Sequence, residues 1–241
     1  MPARFGGLGA FGARVPSLCA ALATVRAHSR VGPYPRVGRC GVKRGSLITF
    51  EGLDGSGKST QCARLASELE AAGRTVVRTR EPTNGVWGRR IRAMASSGEQ
   101  VAVDEELRWF VEDRREHVRE VLTPALESGA DVLCDRYYHS TVAYQGARGH
   151  DPWALLAAAE AEFPIPERTL WFALPAAEGL ERVRARGGTA EPAFEQLDLL
   201  ERVGEIFEAL AARRPAIVRV DARGTEDEVA ARVAGCWREF A

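Results

Sequence analysis

A glycine-rich loop lies between an apolar run and an amphipathic segment in residues 47–72. Leu47–Glu51 is a short apolar run of the kind that forms a buried strand. The loop that follows, Gly52–Ser59, reads GLDGSGKS and matches the pattern GxxxxGK[ST]. Lys58–Ala72 then has apolar residues at helical spacing and stops at Gly73. This order of strand, loop and helix restricts the chain to α/β folds with a phosphate site at the end of a strand.

The rest of the chain continues to alternate between strand and helix patterns. A long helix is predicted over Asp104–Glu127, which has apolar residues at helical spacing. Short strands separated by helices favour a parallel sheet with right-handed crossovers. We therefore predict a P-loop NTPase-type three-layer α/β/α sandwich around a five-stranded parallel sheet, with every strand buried on both faces. The four further strands are predicted at Thr75–Thr79, Val132–Cys134, Thr169–Leu174 and Ala216–Val220.

The first 45 residues differ in composition from the remainder. They hold eight Arg and Lys residues and no Asp or Glu, whereas the remainder has 25 basic and 33 acidic residues. We expect residues 1–45 to be a basic, disordered extension and residues 46–241 to form one domain. The negative balance of that domain argues against a broad nucleic-acid-binding surface and favours small phosphorylated ligands.

The extension has two interpretations. Scattered arginine without acidic residues is typical of an organellar transit peptide, and it is also what translated upstream sequence from a GC-rich genome looks like. The second interpretation, which we favour, places the start of the protein at Val42 and the protein in the cytoplasm. The first places it in an organelle.

Cysteine usage and hydropathy give no indication of disulfides, structural zinc or a membrane segment. The five cysteines are an odd number, lie far apart and form no CxxC pair, which indicates a reducing compartment and no structural zinc. The longest apolar stretch of the extension, around residues 16–25, is about half of the ~20 residues that a membrane-spanning helix needs. We therefore expect no membrane segment.

The chemistry of the loop points to a nucleoside triphosphate. Its glycines let backbone N–H groups approach phosphate oxygens, Lys58 can reach the terminal phosphates, and the Ser59 hydroxyl can bind Mg²⁺. A flexible Gly/Ser turn is the alternative interpretation. The residues expected to hold the nucleotide are Gly52, Leu53, Asp54, Gly55, Ser56, Gly57, Lys58, Ser59 and Thr60.

Charged residues follow two of the predicted strands. Arg80 and Glu81 end the second strand, and Asp135 and Arg136 end the third. Because ligands bind beyond the carboxyl ends of parallel strands, we expect Arg80 to face the phosphate crevice. By the same reasoning, Asp135 is placed to hold Mg²⁺ through water and Arg136 to bind an anion. The alternatives are a solvated charge pair for Arg80 and Glu81, and a helix N-cap for Asp135.

Two residues of the long helix are placed to contact a planar group. Phe110 and Arg114 are four residues apart and share a helix face. Such a pair can stack on a base and hydrogen-bond to it. The alternative for Phe110 is simple core packing.

These stretches occur in one order, as TFEGLDGSGKST, TREP, F-x-x-x-R and DRYYHSTVAYQG. From about residue 46 to the C-terminus they resemble thymidylate kinase, the enzyme family that passes the γ-phosphoryl group of ATP to dTMP. The resemblance implies ATP and dTMP as substrates, Mg²⁺ as cofactor, a homodimer paired through helices, and a nucleoside monophosphate kinase domain over residues 46–241.

The resemblance also implies roles for individual residues. Arg80 and Arg136 would grip the dTMP phosphate, and Phe110 would stack on thymine. Asp54 would lie near the acceptor phosphate and the sugar hydroxyl, and Tyr144 would crowd a 2′-hydroxyl. The residues expected to bind dTMP are Arg80, Phe110, Arg114, Arg136, Thr141, Tyr144 and Gln145. Catalysis is assigned to Lys58, Asp54, Arg136, Arg184 and Arg186, and metal binding to Ser59, Asp54 and Asp135.

The sequence departs from this family at the lid, expected at about residues 184–195. Relatives without an arginine in the phosphate loop, where this chain has Ser56, usually carry a lid arginine after RARG. Here RARG is followed by GTAEPAFE, so that Ala190 and Glu191 occupy the expected Asp-Arg positions. We expect a nearby arginine to replace it, namely Arg182, Arg184 or Arg186, with the last two favoured.

Two other functions remain open at this point. One is a related P-loop kinase acting on another nucleotide or a nucleoside, and the other is a nucleotide-binding protein of weak or no activity. His117 and His139 are expected to be surface or packing residues, because phosphoryl transfer between two anions needs no histidine base.

Overall fold

Five parallel strands form one sheet in the computed structural model, which describes residues 44–98, 101–187 and 196–238. They are β1 (Leu47–Gly52), β2 (Val76–Arg80), β3 (Asp131–Asp135), β4 (Arg168–Ala173) and β5 (Ile217–Asp221). Their order across the sheet is β2-β3-β1-β4-β5, and all four pairings are parallel. The predicted fold class is confirmed, and each predicted strand end lies within one residue of the observed one.

The prediction that every strand is buried on both faces is wrong for the two edges of the sheet. All six residues of the central strand β1 are buried. In contrast, Arg78 and Arg80 of β2 and Arg219 of β5 are exposed. β2 and β5 are the edge strands of this sheet, and each pairs with one neighbouring strand. Side chains of an edge strand are therefore less enclosed than those of the central strand β1.

Nine α-helices occur among the described residues. They are α1 (Lys58–Ala71), α2 (Val86–Ser97), α3 (Val103–His117), α4 (Thr123–Glu127), α5 (Tyr138–Ala147), α6 (Pro152–Glu162), α7 (Ala176–Ala185), α8 (Leu197–Arg213) and α9 (Glu226–Arg238).

The long helix predicted over Asp104–Glu127 is divided in the structure. A π-helical turn, Val118–Leu122, joins α3 to α4 without a break in the chain. Pro124 follows this turn. The wider turn accommodates a proline, which has no N–H and whose ring excludes the regular hydrogen bond to the residue four positions earlier.

Helices cover both faces of the sheet. On one face, Cys62, Leu65 and Leu69 of α1 pack against buried strand side chains that include Phe50, as the helical spacing predicted. On the other face, Trp171 of β4 stacks on Phe207 of α8, with their ring centroids 5.9 Å apart. These two apolar layers fix the sheet, and thereby the carboxyl ends of β1, β2 and β3.

The first described residues pack on this domain. The Arg44 guanidinium donates to Glu167 at 3.2 Å, and the N–H of buried Gly45 donates to the Leu126 carbonyl at 2.9 Å. Residues 44 and 45, predicted to belong to the extension, therefore contact the domain. Residues 1–43 lie outside the described part of the chain.

The described helices include none long and apolar enough to cross a membrane. Two cysteines in the same residues, Cys62 and Cys134, are buried free thiols.

Candidate active site

The phosphate loop joins β1 to α1 in a conformation that glycine permits. Gly57, the N-cap of α1, has φ = 86°, a backbone region that other residues rarely adopt. Gly55 also has positive φ, and a Cβ atom there would lie 2.3 Å from the Gly179 carbonyl oxygen of α7. The loop therefore packs against α7, and the first N–H groups of α1, which have no side-chain cap, are available to bind an anion.

Lys58 is buried at the start of α1. Its Nζ donates to the Leu53 carbonyl at 2.8 Å and lies 3.8 Å from Asp54 Oδ1. Burial, and then the Arg136 charge, lower the pKa of Lys58 to about 8. A phosphate would give the lysine a full negative charge in place of this neutral carbonyl, so the lysine is positioned for an anionic ligand.

Ser59 and Asp135 are in direct contact, since the Ser59 hydroxyl donates to a carboxylate oxygen of Asp135. The N-cap alternative for Asp135 is wrong, because α5 begins after Tyr137 and shows no side-chain cap. A hydroxyl and a carboxylate at the end of β3 are oxygen ligands suited to Mg²⁺ and its bound waters. Asp54, the third expected ligand, instead accepts from Arg136 Nη2 at 2.6 Å.

A cavity beyond the carboxyl ends of β2 and β3 brings together every residue predicted to bind dTMP. They are Arg80, Phe110, Arg114, Arg136, Thr141, Tyr144 and Gln145. Asp54 of the phosphate loop lines the same cavity. Sequence reasoning missed several other lining residues, among them Arg92 of α2 and Ser140 of α5.

Arg136 is held between the loop and this cavity. Its φ of 67° is in the left-handed region, which is strained for a residue other than glycine. The guanidinium donates to the Gly52 carbonyl at 3.1 Å, to Ser140 Oγ at 3.1 Å and to Asp54 at 2.6 Å. In turn, Arg136 holds the pKa of Asp54 well below its usual range. The Arg136 guanidinium thus connects the phosphate loop to the cavity.

Glu51 holds the residues that follow Arg136 through hydrogen bonds, a role that was not predicted. The carboxylate is fully buried and accepts from the Tyr137 N–H at 2.9 Å and from the Ser140 hydroxyl. Burial is the main reason that its pKa is raised from 4.5 to about 7. A glutamate inside the apolar run LITFEG was the available signal.

The raised pKa of Glu51 makes stability depend on pH. The folded state holds this proton more tightly than the unfolded chain, so the contribution is complete below pH 4.5 and is lost as pH rises through about 7. A shift of this size corresponds to roughly 3 kcal/mol. We expect Glu51→Gln to flatten the fall in unfolding free energy between pH 5 and 8, measured by urea titration. Glu70→Gln, at an exposed position of α1, should leave the wild-type pH dependence unchanged; an equally steep fall in Glu51→Gln would contradict the assignment.

Arg114 is almost fully buried, and a network of hydrogen bonds holds its guanidinium. Its Nε and Nη2 donate to Glu81 Oε2 at 2.9 and 2.6 Å, and Nη2 also donates to Thr141 Oγ1 at 2.9 Å. His117 Nδ1 lies 2.9 Å from the other Glu81 oxygen. The solvated-pair alternative is therefore wrong for Glu81, which is 4% exposed. This acidic residue of TREP anchors the arginine that faces the cavity.

The burial of His117, His139 and Phe110 decides between the alternatives predicted for them. His117 and His139 are both buried, so neither is a surface residue. Burial lowers the pKa of His139 to about 3. Phe110 is only partly buried and lines the cavity, which argues against a pure core role.

A second cavity adjoins the phosphate loop on the side of β5. It is lined by Gly57 of the loop, Thr225 after β5, and Arg182 and Arg186 of the α7 end. Arg182 donates to the Ala222 carbonyl at 3.1 Å. Arg184 is exposed and is absent from this lining. Residues 188–195, which hold most of the expected lid, lie outside the described residues.

Comparison with known proteins gives one consistent result. The thymidylate kinase family model matches residues 50–233. A thymidylate kinase of Akkermansia muciniphila is 45% identical over 193 residues, which cover 80% of this chain and 91% of that protein. A thymidylate kinase of Desulfotalea psychrophila is 43% identical over 167 residues, covering 69% and 82%. One of Xanthomonas campestris pv. campestris is 45% identical over 185 residues, covering 77% and 79%.

Proposed function

The chain belongs to the thymidylate kinase family, and from this membership we infer that it transfers the γ-phosphoryl group of ATP to dTMP, giving dTDP and ADP. The observation that supports this reaction best is the cavity that seven base-, sugar- and phosphate-binding candidates share with Asp54 of the phosphate loop. An acceptor bound there would lie directly beside the triphosphate site.

Phosphoryl transfer here depends on position and charge. We propose that Lys58 and the N–H groups at the start of α1 hold the donor phosphates, while Arg80 and Arg136 hold the acceptor phosphate. Arg136 bonds to both Asp54 and the Gly52 carbonyl, so it fixes the acceptor relative to the loop. No covalent enzyme intermediate is needed, because the acceptor phosphate itself attacks.

Ser59 and Asp135 are the proposed Mg²⁺-binding residues, because their oxygens already lie in contact at the end of β3. When bound, Mg²⁺ would neutralise part of the charge on the donor phosphates. The Asp54 carboxylate is committed to Arg136, which favours a role at the acceptor over a direct metal bond.

Base and sugar selection are assigned to α3 and α5. We propose that Phe110 stacks on thymine, that Arg114 donates to its exocyclic oxygen, and that Tyr144 excludes a 2′-hydroxyl. Tyr144 is 9% exposed and its ring lies 5.4 Å from the Arg136 guanidinium. Tyr144 therefore lies next to the proposed phosphate-binding arginine, and we expect the sugar of a bound monophosphate to lie beside it.

The test is a coupled assay of ADP formation with dTMP, dUMP, dCMP, dGMP and AMP as acceptors. We expect dTMP to give the highest kcat/KM, and we expect activity to disappear with EDTA and return with added Mg²⁺. Preference for another acceptor, or ATP binding without turnover, would contradict the proposed function.

The missing lid arginine has a candidate replacement. Of the three arginines at the end of α7, Arg186 lines the nucleotide-side cavity, Arg182 lines it but bonds to the Ala222 carbonyl, and Arg184 is absent from the lining. We propose that Arg186 supplies charge to the transferred group. Arg186→Ala should lower kcat by about 10²-fold, whereas Arg184→Ala should stay within threefold. A rise only in KM for ATP in Arg186→Ala would instead indicate contact with another part of the nucleotide.

We also propose that the protein is a homodimer paired through helices, as its family resemblance implies. An exposed apolar residue, Val86, begins α2, which packs beside α3. Light scattering after size exclusion tests this, and a monomer mass at micromolar concentration would contradict it.

A further inference from the structure

A buried carboxylate that the proposed mechanism does not use contacts Gln145, which lines the dTMP cavity. Glu106 of α3 is 0% exposed. Its Oε1 accepts from the Gln145 side-chain Nε2 at 2.7 Å, and its Oε2 accepts from the Arg148 guanidinium. Three side chains from α3 and the end of α5 are thus joined in one network.

This network fixes which end of the Gln145 amide faces Glu106. A carboxylate paired with an arginine accepts hydrogen bonds and has none to donate. Gln145 must therefore turn its NH₂ group toward Glu106 and its Oε1 away. That Oε1 atom is buried and has no hydrogen-bond partner among the described residues. A buried acceptor left unpaired is costly, so the arrangement calls for a donor.

The cavity then presents two groups of opposite polarity. Arg114, which lines it, can only donate, whereas Gln145, which also lines it, has in its buried Oε1 atom an acceptor without a partner among the described residues. Thymine and uracil carry the matching edge, an acceptor at O4 and a donor at N3–H. Cytosine carries the reverse, a donor at its 4-amino group and an acceptor at N3.

Resting on the proposed function, we infer that Glu106 is a positioning residue that sets the base specificity of this enzyme by fixing the polarity of the Gln145 amide. Glu106 touches neither substrate, and it acts through Gln145. The carboxylate at position 106 thereby favours bases with a protonated N3.

Glu106→Gln tests this inference because Arg148 dictates the outcome. The oxygen of the new amide at position 106 must remain toward the Arg148 guanidinium, so its NH₂ group faces Gln145. Gln145 can then bond only by turning its own oxygen toward position 106, which places its NH₂ group in the cavity. The substitution keeps size and shape but inverts the polarity offered to the base.

The experiment measures kcat/KM for dTMP, dUMP and dCMP with the wild type, Glu106→Gln and Glu105→Gln, each checked for folding by thermal unfolding. Glu105 is the adjacent residue on α3, bonds to Arg108 and Trp109, and lines neither cavity. We expect Glu106→Gln to lower the values for dTMP and dUMP by the same factor, roughly 10- to 100-fold. The value for dCMP should be unchanged or higher, and Glu105→Gln should match the wild type.

The pattern of losses among the three nucleotides distinguishes a positioning role of Glu106 from a merely structural one. A merely structural role of Glu106 predicts equal losses for all three acceptors, and that result, or no change at all, would overturn the inference. Calorimetric binding of dTMP and dCMP to both proteins repeats the comparison without turnover. If the wild type fails to phosphorylate dTMP, the proposed function fails by itself, while the binding ratio still tests Glu106.

Discussion

Arg136→Met is expected to lower kcat/KM for dTMP by about 10³-fold or more, the range found when an arginine is removed from a phosphoryl-transfer site. This corresponds to at least ~4 kcal/mol of transition-state stabilisation. The Arg136 guanidinium bonds to the phosphate loop at Gly52, to Asp54 and to Ser140 of α5. Its removal therefore loses the acceptor charge and leaves the Asp54 carboxylate without its main partner.

The loss should be only partly restored by lysine. Arg136→Lys keeps the charge but has no planar fork, so it cannot bond to all three partners at once. Steady-state kinetics with both substrates varied should show the Arg136→Met defect in kcat and in KM for dTMP, with a smaller change in KM for ATP. Arg219→Met, at an exposed position of edge strand β5, is the matched control and should retain full activity. A tenfold or smaller effect of Arg136→Met would contradict the role proposed for it.

Arg114→Met is expected to be the most destabilising single change in the site, by about 3–5 kcal/mol, because it leaves a buried charge without its partner. Glu81 is the residue left behind, and it is 4% exposed. Urea unfolding at pH 7.5 measures the loss. Arg115→Met is the matched control on the same helix. The Arg115 side chain is 25% exposed and pairs with Glu112 and Glu162 nearer the surface, so its loss should be within ~1 kcal/mol.

The same variant predicts a pH dependence. Burial alone would raise the pKa of Glu81, but Arg114 and then His117 outweigh it, so the net pKa lies below the ordinary value. The wild-type contribution is therefore present above the unfolded pKa of about 4.5 and is lost as pH falls through the lower folded value. Without Arg114, burial raises the pKa of Glu81 in the variant, so its carboxyl takes up a proton as pH falls toward 5 and the unpaired charge disappears. We therefore expect the deficit of Arg114→Met to be largest near pH 7.5 and to shrink toward pH 5. A deficit independent of pH would mean that lost packing, and not the stranded Glu81 carboxylate, causes the destabilisation.

The strands and the order of motifs could be predicted because they depend on local patterns. An apolar run bounded by Gly, Asp or Pro specifies a short strand with little reference to the rest of the chain. The five predicted strands match those observed to within one residue at each end. The conformation of the glycine-rich loop could be predicted in the same way, since positive φ at Gly55 and Gly57 strongly favours that residue type.

Burial at the edges and the buried polar residues could not be predicted in the same way. Whether Arg78 is exposed depends on β2 being at the edge of the sheet, which is a property of strand order. The sequence of residues 103–117 shows an apolar stripe, yet the helix also buries Glu106, Asp113, Arg114 and His117. A charged residue in a helix looks like a solvated one until its partner is known, and the partners here are 27 to 42 residues distant along the chain.

The amino-acid sequence by itself determined the fold class, the triphosphate loop and the set of residues that meet beyond the carboxyl ends of β2 and β3. The loop residues carry their chemistry in their identity and spacing, and the resemblance of the later motifs to thymidylate kinase implied roles for the others, so they could be assigned without coordinates. The tertiary structure alone decided how those residues are held: Glu51 under Ser140, Glu81 against Arg114, and Glu106 against Gln145. Each of these is a buried carboxylate paired across two elements, and such pairs form only when distant segments pack together.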